Sequence, residues 1–181
     1  MKKLLLILLL PIAAHAQQSI PANIDSFSFA YNGIQQVPGV SARIIQSRAR
    51  WFIAYTYQNP HDITRYDDTD AGLFVAVCTI EVLIKKPKDK DSTNTGTLTL
   101  PIKLVFRNGK YKYDCSQITH RGKGGYYNGG LLTNKVPADR LMEKSDWELI
   151  RISSRAYVQA FLDAFNAALQ SDDLDPDKSD F

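Results

Sequence analysis

The chain has 181 residues, of which 44% are hydrophobic and 23% charged, and its formal net charge is +3. This length suits one domain with a hydrophobic core of its own and excludes a small domain held together mainly by disulfides. The near-neutral charge gives no indication of a nucleic-acid partner.

The first 16 residues have the features of a secretory signal peptide. Lys2 and Lys3 form a positive segment, residues 4–14 are apolar, and Ala14-His15-Ala16 fits a small-x-small cleavage site. The apolar segment is shorter than the roughly 20 residues that span a bilayer. We therefore predict cleavage after Ala16 and a periplasmic or secreted product with no membrane span. Loss of Lys2 and Lys3 leaves 20 basic against 19 acidic residues, so the net charge falls to +1.

Residues 17–170 are predicted to form a single domain that begins with a strand and a helix. An alternating run at 26–31 indicates a first strand, with an extension towards Gln36. Ser41 is a suitable N-cap for a helix that ends near Gln58, because the following Asn-Pro pair disfavours helical backbone.

Helical spacing predicts one buried stripe on this first helix and a solvent face that carries its arginines. Trp51 and Phe52 are predicted to anchor the helix to the sheet. The predicted stripe comprises Ile44, Ile45, Ala49, Phe52 and Tyr55, and the predicted solvent face carries Arg43, Arg48 and Arg50.

Two further strands are predicted before the middle of the chain. Ile63–Tyr66 indicates a short second strand, and 67–72 the turn after it. Leu73–Ile84 indicates a long third strand with apolar residues on both faces, which favours a central position in a sheet. Residues 85–96 are polar and without period, which predicts a loop.

The clearest local signal is a hairpin from Thr97 to Cys115. Apolar residues alternate along its first strand, and Asn108-Gly109 suits a two-residue type I′ turn. That turn predicts four facing pairs, and an apolar or aromatic residue stands opposite each inward residue of the first strand. The pairs are Arg107 with Lys110, Phe106 with Tyr111, Leu104 with Tyr113, and Ile102 with Cys115.

The remaining chain is predicted to contain a loop, a long helix and a tail. Residues 120–130 are glycine-rich and aromatic, and a short helix is predicted near Pro137. Ser145-Asp-Trp-Glu148 fits a capping box that opens a helix to about Gln170. The acidic residues 171–181 are predicted to be a disordered tail.

The element order is therefore β-α-β-β-β-β-α, which predicts an α+β fold. Strands two to five follow one another without helices, which favours an antiparallel meander. We expect a five-stranded antiparallel sheet with two main helices on one face.

This order, the helix with Trp51-Phe52, the 68–72 turn and the RNGKYKY hairpin resemble the bacterial exported domain-of-unknown-function family 4468. The likeness covers roughly residues 26–118. It implies a fold like that of the TATA-binding protein and an exported location. That family has no established activity, so the resemblance assigns no functional residue, and a shared architecture does not imply a shared function.

Cys78 and Cys115 are the two cysteines, and strand geometry argues against a disulfide between them. Both point to the core face by alternation, and a meander separates them by two strand spacings, roughly 9–10 Å. A disulfide requires Cα atoms within about 7 Å. We therefore predict two buried free thiols.

Signals for enzymatic or metal chemistry are weak. The Asp67, Asp68 and Asp70 carboxylates could serve a hydrolase, although a turn explains them as well. No zinc-ligand spacing, calcium-loop pattern or nucleophile motif is present. We predict no metal, no cofactor and no catalytic residues.

Two segments are candidate binding sites for a partner. The first is the outward face of the hairpin, which carries the basic residues Lys103, Arg107, Lys110 and Lys112. A solvated sheet face explains them, and so does a platform for an acidic partner or a surface glycan. The second is the 120–130 loop, where tyrosines could stack on a sugar or a partner. The alternative is a flexible glycine-rich loop whose tyrosines fold back on the sheet. Its candidate residues are Arg121, Lys123, Tyr126 and Tyr127.

The sequence therefore favours an exported, non-enzymatic binding or scaffold domain of the cell envelope. Its expected partner is an envelope protein or a glycan, and not a nucleic acid. The alternatives are a carbohydrate-binding module that uses the 120–130 loop and a hydrolase that uses the carboxylates of 67–70.

Overall fold

The computed structural model of the protein describes residues 29–85, 93–123, 128–133 and 143–172. The predicted signal peptide, the predicted short helix near Pro137 and residues 173–181 of the predicted tail therefore lie outside the described residues. The strands are β1 (Tyr31–Gln36), β2 (Thr64–Asp68), β3 (Leu73–Lys85), β4 (Thr93–Arg107), β5 (Lys110–Cys115), β6 (Thr119–Gly122) and β7 (Gly130–Leu131). The helices are α1 (Ala42–Thr56), α2 (Pro60–Ile63) and α3 (Lys144–Gln170).

The strands form one antiparallel sheet in the order β1-β5-β4-β3-β2. The α+β class and the meander of β2 to β5 are thus confirmed. β4 pairs with β3 over Thr93–Val105, with β5 over Ile102–Arg107 and with β6 over Gly96–Thr99. β6 pairs with β4 beyond the end of β5, and β7 pairs with β6. The described sheet therefore contains two short strands in addition to the five predicted ones.

The predicted hairpin register is confirmed at all four pairs. Arg107 faces Lys110 and Phe106 faces Tyr111 across the turn. Gly109 has φ +76°, which glycine adopts without strain. A local turn and a period-two pattern therefore suffice to fix this register.

Both main helices cover the same face of the sheet, where the core lies. Phe52 of α1 makes edge-to-face contacts with Phe161 and Phe165 of α3, with ring centroids 5.7 and 5.1 Å apart. Phe165 is 2% exposed, and fully burying a phenylalanine side chain contributes about 1.5–3 kcal/mol. The largest buried apolar side chains are Trp147, Tyr111, Tyr113, Phe74, Phe106, Phe165, Ile45 and Ile53.

The first helix begins as predicted and buries Ile45 and Ala49 of the predicted stripe, but the stripe is shifted. The Ser41 hydroxyl accepts a hydrogen bond from the amide of Ile44, and the helix ends at Thr56. The prediction for Trp51 and Tyr55 was wrong, since both are exposed and stack on each other. The buried stripe runs through Ile45, Ala49 and Ile53, so the wheel is rotated away from Trp51.

The prediction that Arg48 faces solvent was also wrong. Its side chain is 1% exposed, and its guanidinium donates to the carbonyl of Leu169 and to the carboxylate of Asp172. The position faces α3, and the long arginine side chain reaches that helix's C-terminal end.

The capping box at Ser145 was wrong, although the predicted end of α3 at Gln170 is confirmed. Glu143 occupies the N-cap position, and Ser145 lies inside the first turn. The Ser145 hydroxyl donates to the Glu143 carboxylate instead of capping a backbone amide.

Several strand boundaries differ from the predicted ones. β1 begins at Tyr31, and the helical turn α2 delays β2 to Thr64–Asp68. β4 begins at Thr93, inside the predicted loop. β6 overlaps the start of the predicted glycine-rich segment, and its His120 faces the core, where it is 1% exposed.

Cys78 and Cys115 are free and buried in the sheet. Cys78 lies opposite Leu100 and Cys115 opposite Ile102, so β4 separates the two thiols. Burial raises the pKa of each thiol to about 12. Within the described ranges, no helix is both long and apolar enough to cross a membrane.

Candidate functional site

The face of the sheet opposite the helices is the candidate functional site, and we call it the outer face. Alternation along each strand turns every second side chain to this face. In β4 and β5 the inward residues are buried, whereas the intervening ones are half-buried or exposed. No described helix covers this face, since α1 and α3 both pack on the other one.

Four cations form a basic strip on the outer face, namely the predicted residues Lys103, Arg107, Lys110 and Lys112. All four are exposed. Arg107 lies opposite Lys110, and Lys103 lies opposite Asp114. The Asp114 carboxylate accepts a hydrogen bond from Ser116. The structure thus brings the four predicted residues together at the turn end of the hairpin.

Arg107 is fixed more firmly than the three lysines. Its guanidinium donates to the carbonyl of Phe106 at 2.8 Å and to that of Ala71 at 3.3 Å. These bonds tie the end of β4 to the turn before β3. Lys103, Lys110 and Lys112 are therefore the residues of the strip best able to contact an anion.

An apolar patch lies beside and between these cations. It comprises Ile34, Tyr66, Leu73, Val75 and Val105, of which Ile34 is 60% and Tyr66 49% exposed. In one row across the sheet, Lys112 lies between Ile34 and Val105. In the next row, Val75 lies between Lys103 and Tyr66. Apolar and basic side chains therefore alternate across the outer face.

The carboxylates of Asp67 and Asp68 are occupied by structural contacts. Asp67 turns towards α1 and accepts hydrogen bonds from Arg50 and Gln46. Partial burial acts to raise the pKa of Asp67, but these bonds outweigh it and hold the pKa below its ordinary value. Asp68 accepts from the amide of Ala71, which lowers the pKa of that carboxyl too.

A hydrolytic acid–base pair needs one carboxyl whose pKa is raised, so that it can donate a proton near neutral pH. Asp67 and Asp68 are both shifted in the opposite direction. Their arrangement therefore supports a structural role between β2 and α1.

The 120–130 segment is only partly described. His120 is buried, and its Nδ1 accepts a hydrogen bond from the amide of Gly129 at 3.4 Å. Arg121 and Lys123 are exposed, and Tyr126 and Tyr127 lie outside the described residues. Arg121 pairs with Thr97 at the far end of β4, about 20 Å along the strand from Lys103. The structure therefore does not bring Arg121 to the basic strip.

A shallow depression lies at the start of α1, lined by Gly39, Val40, Ser41, Asn108 and Gly109. Its polar groups are engaged within the fold. Asn108 accepts from the amide of Ala42, and the amide of Gly109 donates to the carbonyl of Val40. The depression therefore offers no converging set of free polar groups. Among the residues that the structure describes, no cluster of three or more His, Cys, Asp or Glu side chains is suited to a metal ion.

Sequence reasoning missed the apolar part of the outer face. Ile34 alternates with Gly33 and Gln35 in β1, a pattern that fits a strand with an exposed isoleucine. The stacked Trp51–Tyr55 pair on α1, with ring centroids 5.2 Å apart, was missed because its helical spacing resembled a core stripe.

Comparisons with known proteins support the fold. A crystal structure of a DUF4468 family protein from Bacteroides ovatus is similar at 12% identity and a TM-score of 0.60. The match covers 83% of this chain and 91% of that one. A TBP-like protein from Parabacteroides distasonis is similar at 12% identity and a TM-score of 0.59, over 80% of this chain and 94% of that one. No family model and no curated protein matches the chain. The resemblance to family 4468 is thus confirmed for the fold.

Proposed function

We propose that the protein is an exported, non-enzymatic binding domain of the cell envelope whose outer face binds an acidic partner. One observation carries the proposal. Lys103, Lys110 and Lys112 lie together on a sheet face that no described helix covers, beside the exposed side chains of Ile34 and Tyr66.

The alternation of charge and apolar surface favours a macromolecular partner over a small ion. Exposed apolar patches rimmed by polar residues are typical of protein interaction sites. The positive side chains would steer and orient an acidic surface, and the apolar ones would supply burial. Because the expected mature chain has a net charge of only +1, the strip is a local feature and not a consequence of a generally basic protein.

The architecture shared with a TBP-like protein does not argue for DNA as the partner, because a fold does not specify a ligand. The expected export makes an envelope protein or an acidic glycan the partner class. Carbohydrate binding through the 120–130 loop stays a prediction, since Tyr126 and Tyr127 lie outside the described residues.

The test compares two double variants with equal changes in net charge. Lys103→Glu with Lys112→Glu reverses two charges on the outer face, whereas Arg43→Glu with Lys144→Glu reverses two exposed charges on α1 and α3. Each immobilised protein is incubated with an envelope fraction of the cells that naturally produce it and, separately, with poly-L-glutamate. We expect the outer-face variant to bind the polymer at least about tenfold more weakly than the wild type, and the helix variant to bind it normally.

Ionic strength provides a second arm of the same test. Raising it from roughly 0.01 M to roughly 0.15 M shortens the Debye length from about 30 to about 8 Å, which should weaken binding of the wild type. Equal binding by the wild type and the outer-face variant, or equal losses in both double variants, would contradict the proposal.

A further inference from the structure

The outermost strand β1 has an edge that nothing in the described structure pairs. β1 bonds to β5 on one side only. Its six residues, Tyr31–Gln36, include no proline and no charged side chain. Such an edge is a template for another strand unless the protein blocks it.

The direction of the backbone groups in β1 follows from one hydrogen bond. The amide of Val37 donates to the carbonyl of Gly109, so odd-numbered residues point their backbone groups towards β5. Asn32, Ile34 and Gln36 therefore point three N–H and three C=O groups away from the sheet. No hydrogen bond reaches these six groups from any residue that the structure describes.

The exposed edges of β2 and β3 are protected in ways that the edge of β1 is not. β2 has an irregular register between Thr64 and Tyr66 and carries the charged residue Arg65. Beyond β2, the edge of β3 carries Glu81, and the amide of Leu83 donates to the hydroxyl of Tyr157. Charges, bulges and capped amides are the usual means of blocking an edge.

We propose that β1 pairs with β1 of a second copy of this chain, antiparallel across a two-fold axis, with Ile34 opposite Ile34. An antiparallel pair places side chains of the same face opposite each other. This register then sets Asn32 opposite Gln36 and uses the whole strand. A register centred on Gln36 would instead run into Pro38, which cannot donate a backbone hydrogen bond.

The proposed pairing satisfies every free backbone group on both edges. The central Ile34 pair exchanges two hydrogen bonds, and each of the two Asn32–Gln36 pairs exchanges two more. It also brings no like charges together. The nearest cations, Lys110 and Lys112 on β5, are separated from those of the second copy by three strand spacings, about 14 Å. That distance exceeds the Debye length of about 8 Å at physiological ionic strength.

The pairing joins the outer faces of the two copies into one continuous sheet. Ile34 is 60% exposed in the single chain and would pack on its counterpart at the centre of that sheet. The inference does not rest on the proposed function, because it uses backbone groups of the edge and no residue of the basic strip.

The first test is the association state of the purified protein by sedimentation equilibrium over a wide range of concentration. We expect a dimer, and we expect Ile34→Lys to raise its dissociation constant at least about tenfold. Ile152→Lys is the matched control, because Ile152 is 67% exposed on α3 and lies on the opposite side of the sheet. A monomer at all concentrations, or a dimer that Ile34→Lys leaves intact, would overturn the proposal.

The second test reads the register by disulfide crosslinking. Facing residues that exchange backbone bonds have Cα atoms about 5.5 Å apart, within the range for a disulfide. Ile34→Cys should therefore form a covalent dimer on oxidation, as should Asn32→Cys mixed with Gln36→Cys. Asn32→Cys alone should not, since its counterpart lies four residues along the strand, about 13 Å away. Efficient crosslinking of Asn32→Cys alone would rule out this register.

Discussion

At the scale of single residues, Arg48 is the position where sequence and structure differ most in consequence. The last carbonyls of a helix have no partner within the helix, and a cation near them is favourable. The Arg48 guanidinium lies 3.1 Å from the Leu169 carbonyl and 2.8 Å from the Asp172 carboxylate. Helical spacing alone does not predict this, because the partner helix lies more than a hundred residues away in the chain.

Arg48→Met should lower the free energy of unfolding by about 1–3 kcal/mol. The methionine retains an apolar stem but leaves the Leu169 carbonyl without its buried donor. Asp172→Asn should cost less than about 1 kcal/mol, since the Asp172 side chain is 66% exposed and well screened. Urea unfolding of both variants at constant slope gives the comparison. A larger loss for Asp172→Asn than for Arg48→Met would show that the ion pair dominates.

The sequence was misleading at Trp51 for a different reason than at Arg48. Large aromatic residues are usually buried, and the helical pattern around Trp51 allowed either of two adjacent stripes. Only the packing of Ile45, Ala49 and Ile53 on the sheet selects between them. By contrast, the Ser41 cap was predictable because it depends on the next three residues alone.

At the scale of elements, the sequence predicted best those elements whose structure depends on residues close together in the chain. The β4–β5 hairpin needs only its own alternation and a two-residue turn, and its register was correct. β6 needs β4, and its four residues show no alternation of their own, so the sequence indicated a loop. β2 pairs with β3, but the helical turn α2 delays its start, and local alternation did not indicate that turn. Asp67 also links β2 to α1 through Arg50 and Gln46.

The contact between β2 and α1 should make stability depend on acid. The pKa of Asp67 in the folded protein lies below its ordinary value of 3.8. The stabilisation is therefore present above about pH 4 and is lost as the pH falls through the folded-state pKa. Asp67→Asn should cost less than about 1 kcal/mol at neutral pH, because both side chains of the pair are partly exposed. It should also flatten the decline in unfolding free energy at acid pH.

Urea unfolding between about pH 2 and pH 7 measures this effect. Asp70→Asn serves as the control, since Asp70 is exposed in the adjacent turn. An unchanged acid profile in Asp67→Asn would contradict the assigned cause.

At the scale of the whole molecule, one core unites the two helices and the sheet. Cys78 and Cys115 lie in that core on different strands, and each is 0% exposed. The sequence predicted the meander that separates them, because alternation and the absence of intervening helices are visible in the chain. The sequence did not predict that β4 pairs with both β5 and β6 on the side away from β3. That arrangement depends on the path of the chain after β5.

Both thiols should resist a thiol-specific reagent in the native protein at pH 8 and should react together on unfolding. Burial excludes the reagent and raises the pKa of both groups, so little thiolate forms. Because one core holds both, their exposure should follow the global free energy of unfolding. Reagent kinetics in increasing urea measure this. Much earlier labelling of one cysteine would reveal local opening of its strand.

The contact of Arg48 with the end of α3 also bears on the order of folding. Its hydrogen-bonding partners follow it by 121 and 124 residues. During synthesis, the segment of α1 emerges long before those partners. Until they emerge, burying the Arg48 guanidinium would leave its charge without a partner. This contact between α1 and α3 therefore forms only after α3 has been synthesised. A chain whose core forms late stays unfolded during synthesis. An unfolded chain is what the proposed export requires.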